Sequence, residues 1–323
     1  MIDRDLIRAN LGQCLEDASF IDLPGHRRGK VRDTFDLGDR LVLVTTDRQS
    51  AFDRILASIP FKGQVLNQVS AFWFEQTADI VPNHVLGVPD PNVTVGRKGR
   101  VVPIEFVVRS YLTGSTSTSI WRNYANGVRD YCGHTLPDGM VKNDALARPI
   151  VTPTTKSDEH DELTSGDALV ESGVVDRATW TRMEETVLAL FARGQEIAAR
   201  NGLILVDTKY ELAWDADGEL MLVDEIHTPD SSRYWVADSF AERHAAGQEP
   251  ENIDKEFLRL WFVENSDPYN DPELPAAPED LVVELSARYQ QLFERITGRD
   301  FTPVSTPPVR ERLRANLSSV RDA

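Results

Sequence analysis

Apolar and polar positions divide the chain into strand-period and helix-period segments. From Leu203 to Trp235 two apolar runs, Leu203 to Val206 and Leu220 to Val223, flank Asp215-Ala216-Asp217-Gly218, the composition of a hairpin turn. Side chains alternate along a strand, so Asp207, Lys209 and Glu211 share one face, and a turn centred on Ala216 and Asp217 pairs Lys209 with Asp224 on that face. Strand-like runs also occupy Leu41 to Val44 and Val101 to Arg109, and Gly25 to Phe35 reads as strand, tight turn, strand. Helical spacing appears behind Asp3, over Gln64 to Ile80, from Asp176 to about Arg200 with Asn201-Gly202 as its stop, and over Asp254 to Val263 and Pro278 to Ile296. Turn signals with little periodicity predict irregular structure and short strands over residues 123 to 150. A frayed tail is expected after the proline-rich strip Thr302 to Pro308.

With 323 residues and 41% hydrophobic content, these elements predict two domains or one large two-lobed unit. A net charge of -17 argues against nucleic acid or an anionic membrane surface as partner, since both are bound mainly through excess Lys and Arg. No run approaches the ~20 apolar residues of a membrane span, and the acidic first residues lack a signal-peptide core, so a cytoplasmic protein is expected. Cys14 and Cys132 are far apart and outside any CxxC spacing, and read as inert thiols.

Three carboxylates, Asp207, Glu211 and Asp224, converging on Lys209 leave an excess of negative charge that calls for another cation. Mg²⁺ held against nucleotide phosphates suits such a set, and a solvated charged strand face is the alternative. The Gly25 to Phe35 segment is no P-loop, because Gly25 and Gly29 are separated by three residues and Val31 follows Lys30. A glycine-bearing hairpin can still cover phosphates with Lys30 and Arg32; a plain hairpin with solvated basic residues is the alternative. Thr45 to Asp53 is dense in hydroxyls and acids, a candidate site loop. Ser110 to Ser119 follows Arg109 and is either an anion cradle or a linker.

Taken in order, Gly29-Lys30-Val31-Arg32-Asp33, Ser50-Ala51-Phe52-Asp53, Val107-Val108-Arg109 with Thr113-Gly114-Ser115, Thr152-Pro153-Thr154-Thr155-Lys156, Asp207-Thr208-Lys209-Tyr210-Glu211 and Asp224-Glu225 with Pro229-Asp230-Ser231-Ser232-Arg233 resemble the motifs of the phosphoribosylaminoimidazole-succinocarboxamide synthase (SAICAR synthase) family over roughly residues 20 to 270. The resemblance implies a C–N bond-forming ligase of de novo purine synthesis that joins L-aspartate to carboxyaminoimidazole ribonucleotide, using ATP and Mg²⁺ and releasing ADP and phosphate. It implies an α+β fold in two lobes with the nucleotide in the cleft: a kinase-like antiparallel N-terminal ATP-binding lobe, residues 1–104, and a larger ATP-grasp-related substrate and metal lobe, residues 105–323. By the same resemblance Gly29, Lys30 and Arg32 contact phosphates, and the backbone around Val102 is the adenine hinge. Lys209, Glu211 and Asp224 hold nucleotide and metal, the last two as metal ligands. Arg109, Ser115, Asp230, Ser232 and Arg233 hold the ribonucleotide. Lys156, Asp158, His160 and Asp161 match a loop near the substrates. Lys209, Asp224 and Arg233 carry the catalytic roles. The longer variety of the family, often monomeric, fits the length, and His227 before Thr228 is an insertion relative to shorter members.

The chemistry accords with the residue types. A carboxylate resists attack by an amine until its oxygen becomes a leaving group, so phosphorylation by ATP followed by amine displacement needs positioning and charge rather than a protein nucleophile. A small-molecule kinase and a catalytically inactive nucleotide-binding scaffold remain alternative readings. The scaffold predicts gaps among Lys30, Lys209, Glu211, Asp224 and Arg233, all of which are present.

Overall fold

The computed structural model describes residues 2–52, 54–155, 162–252 and 256–320, and its contacts gather into two compact units. One comprises residues 1–72, 84–98 and 253–323, the other residues 73–83 and 99–252. This division differs from the expected boundary at residue 104. The Arg100–Tyr111 strand runs through that boundary without a break, and the C-terminal helices belong with the N-terminal residues.

The first unit is built on a five-stranded antiparallel sheet in the order Arg27–Arg28, Arg32–Asp36, Arg40–Thr45, Val93–Arg97, Val85–Asp90. Phe35, Val42, Val44, Val93 and Val95 alternate toward a core completed by Leu15, Ala18, Ile21, Leu313 and Leu317. The last two lie on a helix, Val309–Leu317, where a frayed tail was expected. Only three apolar positions mark its inner face, and the polar Arg312 adds the anchor that composition hides: its Nε donates to Asp90 Oδ2 at 2.9 Å and its Nη2 to Asn92 Oδ1 at 2.6 Å, both buried. Glu279–Thr297 and Arg4–Ala9 are helices as expected, the second capped by the Asp3 carboxylate on the Asp5 and Leu6 amides.

The second unit carries the longer strands. Its six-stranded antiparallel sheet runs Glu162–Leu163, Ala145–Thr155, Arg100–Tyr111, Leu203–Trp214, with Leu220–Val223 and Ser232–Val236 both pairing along the far side of Leu203–Trp214. The segment expected to hold irregular structure and short strands does contain the short strands Asp130–Tyr131 and His134–Thr135, but its end is part of the longer Ala145–Thr155 strand. One face of the sheet is covered by the Arg177–Arg200 helix, which buries Trp180, Met183, Val187, Leu190, Phe191, Gly194 and Ile197 at helical spacing and is capped by Asp176 on the Thr179 amide. Phe106 stacks on Trp180 with ring centroids 5.8 Å apart. Gly194 permits this close approach: a Cβ there would overlap the His227 ring and lie 2.7 Å from Leu205 Cδ2. Among the described residues no helix is long and apolar enough to cross a membrane.

Candidate functional site

The face of the second sheet opposite the Arg177–Arg200 helix collects the charged residues. Because opposite residues of antiparallel strands share a face, the register sets three rows across it. Thr154, Glu105 and Glu211 form one, Thr152, Val107 and Lys209 the next, and Ile150, Arg109, Asp207 and Arg233 the third. Successive rows are about 7 Å apart, two residues along a strand.

Lys209 is the centre of the first cluster. Its Nζ donates to Glu211 Oε1 at 2.6 Å and to Glu105 Oε1 at 3.2 Å, and lies 3.6 Å from Asp224 Oδ2. Burial alone would lower the affinity of this ammonium for its proton, but Asp224, Glu211 and Glu105 together hold its pKa above the ordinary lysine value. Three carboxylates do surround Lys209, but not the expected three: Asp207 is replaced by Glu105, which stands directly opposite Glu211 on the neighbouring strand. The hairpin register also differs from expectation by one residue. Glu211 pairs with Val223 and Trp214 with Leu220, because residues 215–219 form the loop, with Asp215 Oδ1 accepting from the Asp217 and Glu219 amides. Asp224 then leaves the strand with a left-handed backbone, φ 68°, which brings its carboxylate back to Lys209.

Asp207 belongs to the arginine row. Arg233 Nη1 donates to Asp207 Oδ2 at 2.6 Å and Arg109 Nη1 donates to the same oxygen at 3.5 Å. Arg109 is further fixed by Nε donating to Thr152 Oγ1 at 2.9 Å. The shared carboxylate aligns the two guanidinium groups, whose planar forks suit carboxylate or phosphate anions. Ser232 sits opposite Thr208 rather than in this row, their hydroxyls 2.6 Å apart. Asp230 lies in the adjoining turn, its amide donating to Thr228 Oγ1 at 3.3 Å, and Ser115 is exposed in the loop after the Arg100–Tyr111 strand, its carbonyl accepting from Arg122 at 3.4 Å. Lys156, Asp158, His160 and Asp161 lie outside the described residues, as does Asp53.

His227 proves to be a core residue. It is fully buried at φ 50°, bonded to the Tyr210 hydroxyl, with Trp73 edge-on at 4.6 Å, and burial pushes its pKa down to about 3, so it is neutral. It ties the Asp224 to Ser231 segment to the covered side of the sheet, and its carbonyl accepts from the Tyr234 hydroxyl at 2.7 Å.

In the first unit, Gly29 and Lys30 form the turn between Arg27–Arg28 and Arg32–Asp36, with the Gly29 amide donating to the Arg32 carbonyl at 2.8 Å. A Cβ at Gly29 would lie 2.7 Å from that same oxygen, so glycine is required by the close approach. The turn is held from within by Arg48, which is 1% exposed and donates to the carbonyls of Gly29, Lys30 and Glu16 and to Asp33 Oδ1 at 2.7 Å. Asp47 accepts from the amides of Leu15 at 2.7 Å and Gly63 at 2.8 Å. The polar density of residues 45 to 52, expected to signal a site loop, is therefore largely spent on internal hydrogen bonds. Val102 is buried in the Arg100–Tyr111 strand of the second unit.

Of the groups that could hold a metal, Asp17, His26 and Asp33 lie close together, yet Asp33 is already bonded to Arg48, His26 and the Ala18 amide. The carboxylates around Lys209 do not form such a compact group among the described residues, but they outnumber their one ammonium, and that excess of negative charge is what favours a cation there.

Comparison with known proteins identifies the family. The SAICAR synthetase family model matches residues 26–274. A phosphoribosylaminoimidazole-succinocarboxamide synthase from Legionella pneumophila (strain Paris) is 57% identical over 90% of this chain and 93% of its own, and a chloroplastic one from Arabidopsis thaliana is 53% identical over 97% of this chain and 77% of its own. A solved SAICAR synthase from Saccharomyces cerevisiae, complexed with SAICAR, superposes with a TM-score of 0.76 at 31% identity, covering 89% of this chain and 98% of its own. The protein is thus an enzyme of the ligase class, acting in purine biosynthesis. The chain belongs to the SAICAR synthetase family.

Proposed function

We propose that the protein joins the amine of L-aspartate to the carboxylate of carboxyaminoimidazole ribonucleotide, with ATP converting that carboxylate to an acyl phosphate, to give SAICAR, ADP and phosphate. The observation that carries this reading is the adjacency, on one sheet face, of the Lys209 cluster and the Arg109–Asp207–Arg233 row. One suits a nucleotide and its counter-ion, the other a planar anion, and the SAICAR bound by the yeast relative supports the product. Glu211 and Asp224 would hold Mg²⁺, which supplies charge neutralisation at the phosphates. Lys209 orients phosphate oxygens from a fixed position. Arg109 and Arg233 grip the ribonucleotide, with Ser115, Asp230 and Ser232 as further contacts. Gly29, Lys30 and Arg32 cover the phosphates, the backbone at Val102 meets adenine, and Lys156, Asp158, His160 and Asp161 serve the substrates. A kinase-like N-terminal lobe, an ATP-grasp-related substrate lobe and a cytoplasmic monomer complete the proposal.

A coupled assay of ADP release with each substrate omitted in turn tests it. Release is expected only when ATP, aspartate and ribonucleotide are all present, and aspartate-independent release favours a kinase instead. Lys30→Ala is expected to raise the KM for ATP far more than that for aspartate, and equal changes would remove Lys30 from the nucleotide site. Arg233→Lys replaces a planar fork by a point charge. Calorimetric titration of the ribonucleotide should show affinity reduced by about tenfold or more, roughly 1.4 kcal/mol, and unchanged affinity would take Arg233 out of the site.

A further inference from the structure

Thr154 presents a hydroxyl that the protein leaves unsatisfied. The residue is 5% exposed, and its Oγ1 has no hydrogen-bond partner among the described residues. Two residues earlier on the same strand and the same face, Thr152 is fully used: its hydroxyl accepts from Arg109 Nε and donates to the Val107 carbonyl at 3.1 Å. A buried hydroxyl without a partner has lost water and gained nothing, and a valine of the same shape would fill that position without the loss. The hydroxyl is therefore better explained by a partner that arrives with a ligand.

The register identifies the chemistry of that partner. Thr154 stands opposite Glu105 on one side and Leu163 on the other, and Glu105 opposite Glu211, so the hydroxyl adjoins a row of two carboxylates on the site face. Those carboxylates repel an anionic group and favour an N–H donor, to which the Thr154 oxygen can offer a lone pair. We infer that Thr154 and Glu105 form the subsite for the amino group of the amine substrate, Thr154 accepting a hydrogen bond and Glu105 supplying the charge. The inference rests on the reading of the site as one that joins an amine to a carboxylate.

Thr154→Val and Thr154→Ser test it, with L-aspartate as substrate and succinate, the same dicarboxylate without its amino group, as inhibitor. Thr154→Val is expected to raise the KM for aspartate by about fivefold or more, to leave the inhibition constant of succinate and the KM for ATP unchanged, and to leave the thermal midpoint of the ligand-free protein equal or higher, since the valine removes an unpaired polar atom. Thr154→Ser should restore the aspartate KM. A lower thermal midpoint with an unchanged aspartate KM would overturn the inference by making the hydroxyl structural. A parallel loss for succinate would also overturn it, by assigning the hydroxyl to a carboxylate. Wild-type protein without aspartate-dependent ADP release would overturn the reading of the reaction and this subsite with it, whereas a responsive wild type with an unresponsive Thr154→Val removes Thr154 alone.

Discussion

Arg48→Met is expected to destabilise the protein by about 3 to 5 kcal/mol, the cost of removing one partner from a buried ion pair. Asp33 is fully buried, and its Oδ1 accepts from Arg48 Nη2 at 2.7 Å; among the described residues the methionine would leave that carboxylate with the Ala18 amide and His26. The carbonyls of Gly29, Lys30 and Glu16 lose their donor at the same time. Urea denaturation measures the loss. The double variant Arg48→Met with Asp33→Leu should recover much of it, because replacing both partners by apolar groups removes the stranded charge. If the proposed nucleotide contact of Lys30 holds, the double variant should still show a raised KM for ATP, since the turn that carries Lys30 has lost its internal support. A single variant as stable as the wild type would show that the Arg48 network contributes little.

Much of this was legible locally. Asp176 before an apolar stripe, Asn201-Gly202 after it and the two apolar runs around Asp215 to Gly218 gave the long helix and the hairpin in place, because capping and alternation act over a few residues. The nonlocal pairings were not. Glu105 reaches Lys209 only because the Arg100–Tyr111 strand lies beside Leu203–Trp214, and nothing in either stretch names its neighbour. Asp207 lies on the same face as Lys209, as alternation requires, but its row is fixed by Arg109 and Arg233 on the two flanking strands. A single extra loop residue moved the hairpin register, and the left-handed Asp224 cancelled that error at the one position where it mattered. The family resemblance named Arg109, Arg233, Lys209, Glu211 and Asp224, which the sheet gathers on one face, but it did not include Glu105, and it took in Thr154 within the Thr152 to Lys156 motif without giving that hydroxyl a role.

Asp224→Asn is expected to lower kcat by at least about 10²-fold, near 2.7 kcal/mol, with little change in thermal stability. The substitution keeps size and shape, and asparagine tolerates the left-handed conformation at φ 68° as aspartate does, so the backbone has no reason to move. Lys209 keeps Glu211 at 2.6 Å and Glu105 at 3.2 Å, so the ammonium is not stranded by losing the longer contact of 3.6 Å. What is lost is one negative oxygen from the only donor set on this face with more carboxylates than cations among the described residues. Asparagine retains an oxygen for a cation but not its charge, and a hard divalent ion such as Mg²⁺ is held mainly by charge. If Asp224 serves the nucleotide's counter-ion, the apparent Mg²⁺ requirement should rise along with the fall in kcat. If it merely pairs with Lys209, each folded molecule turns over as before and the Mg²⁺ requirement does not move. Measuring kcat per folded molecule over a series of Mg²⁺ concentrations separates the two, and near-wild-type turnover at every concentration would end the metal assignment.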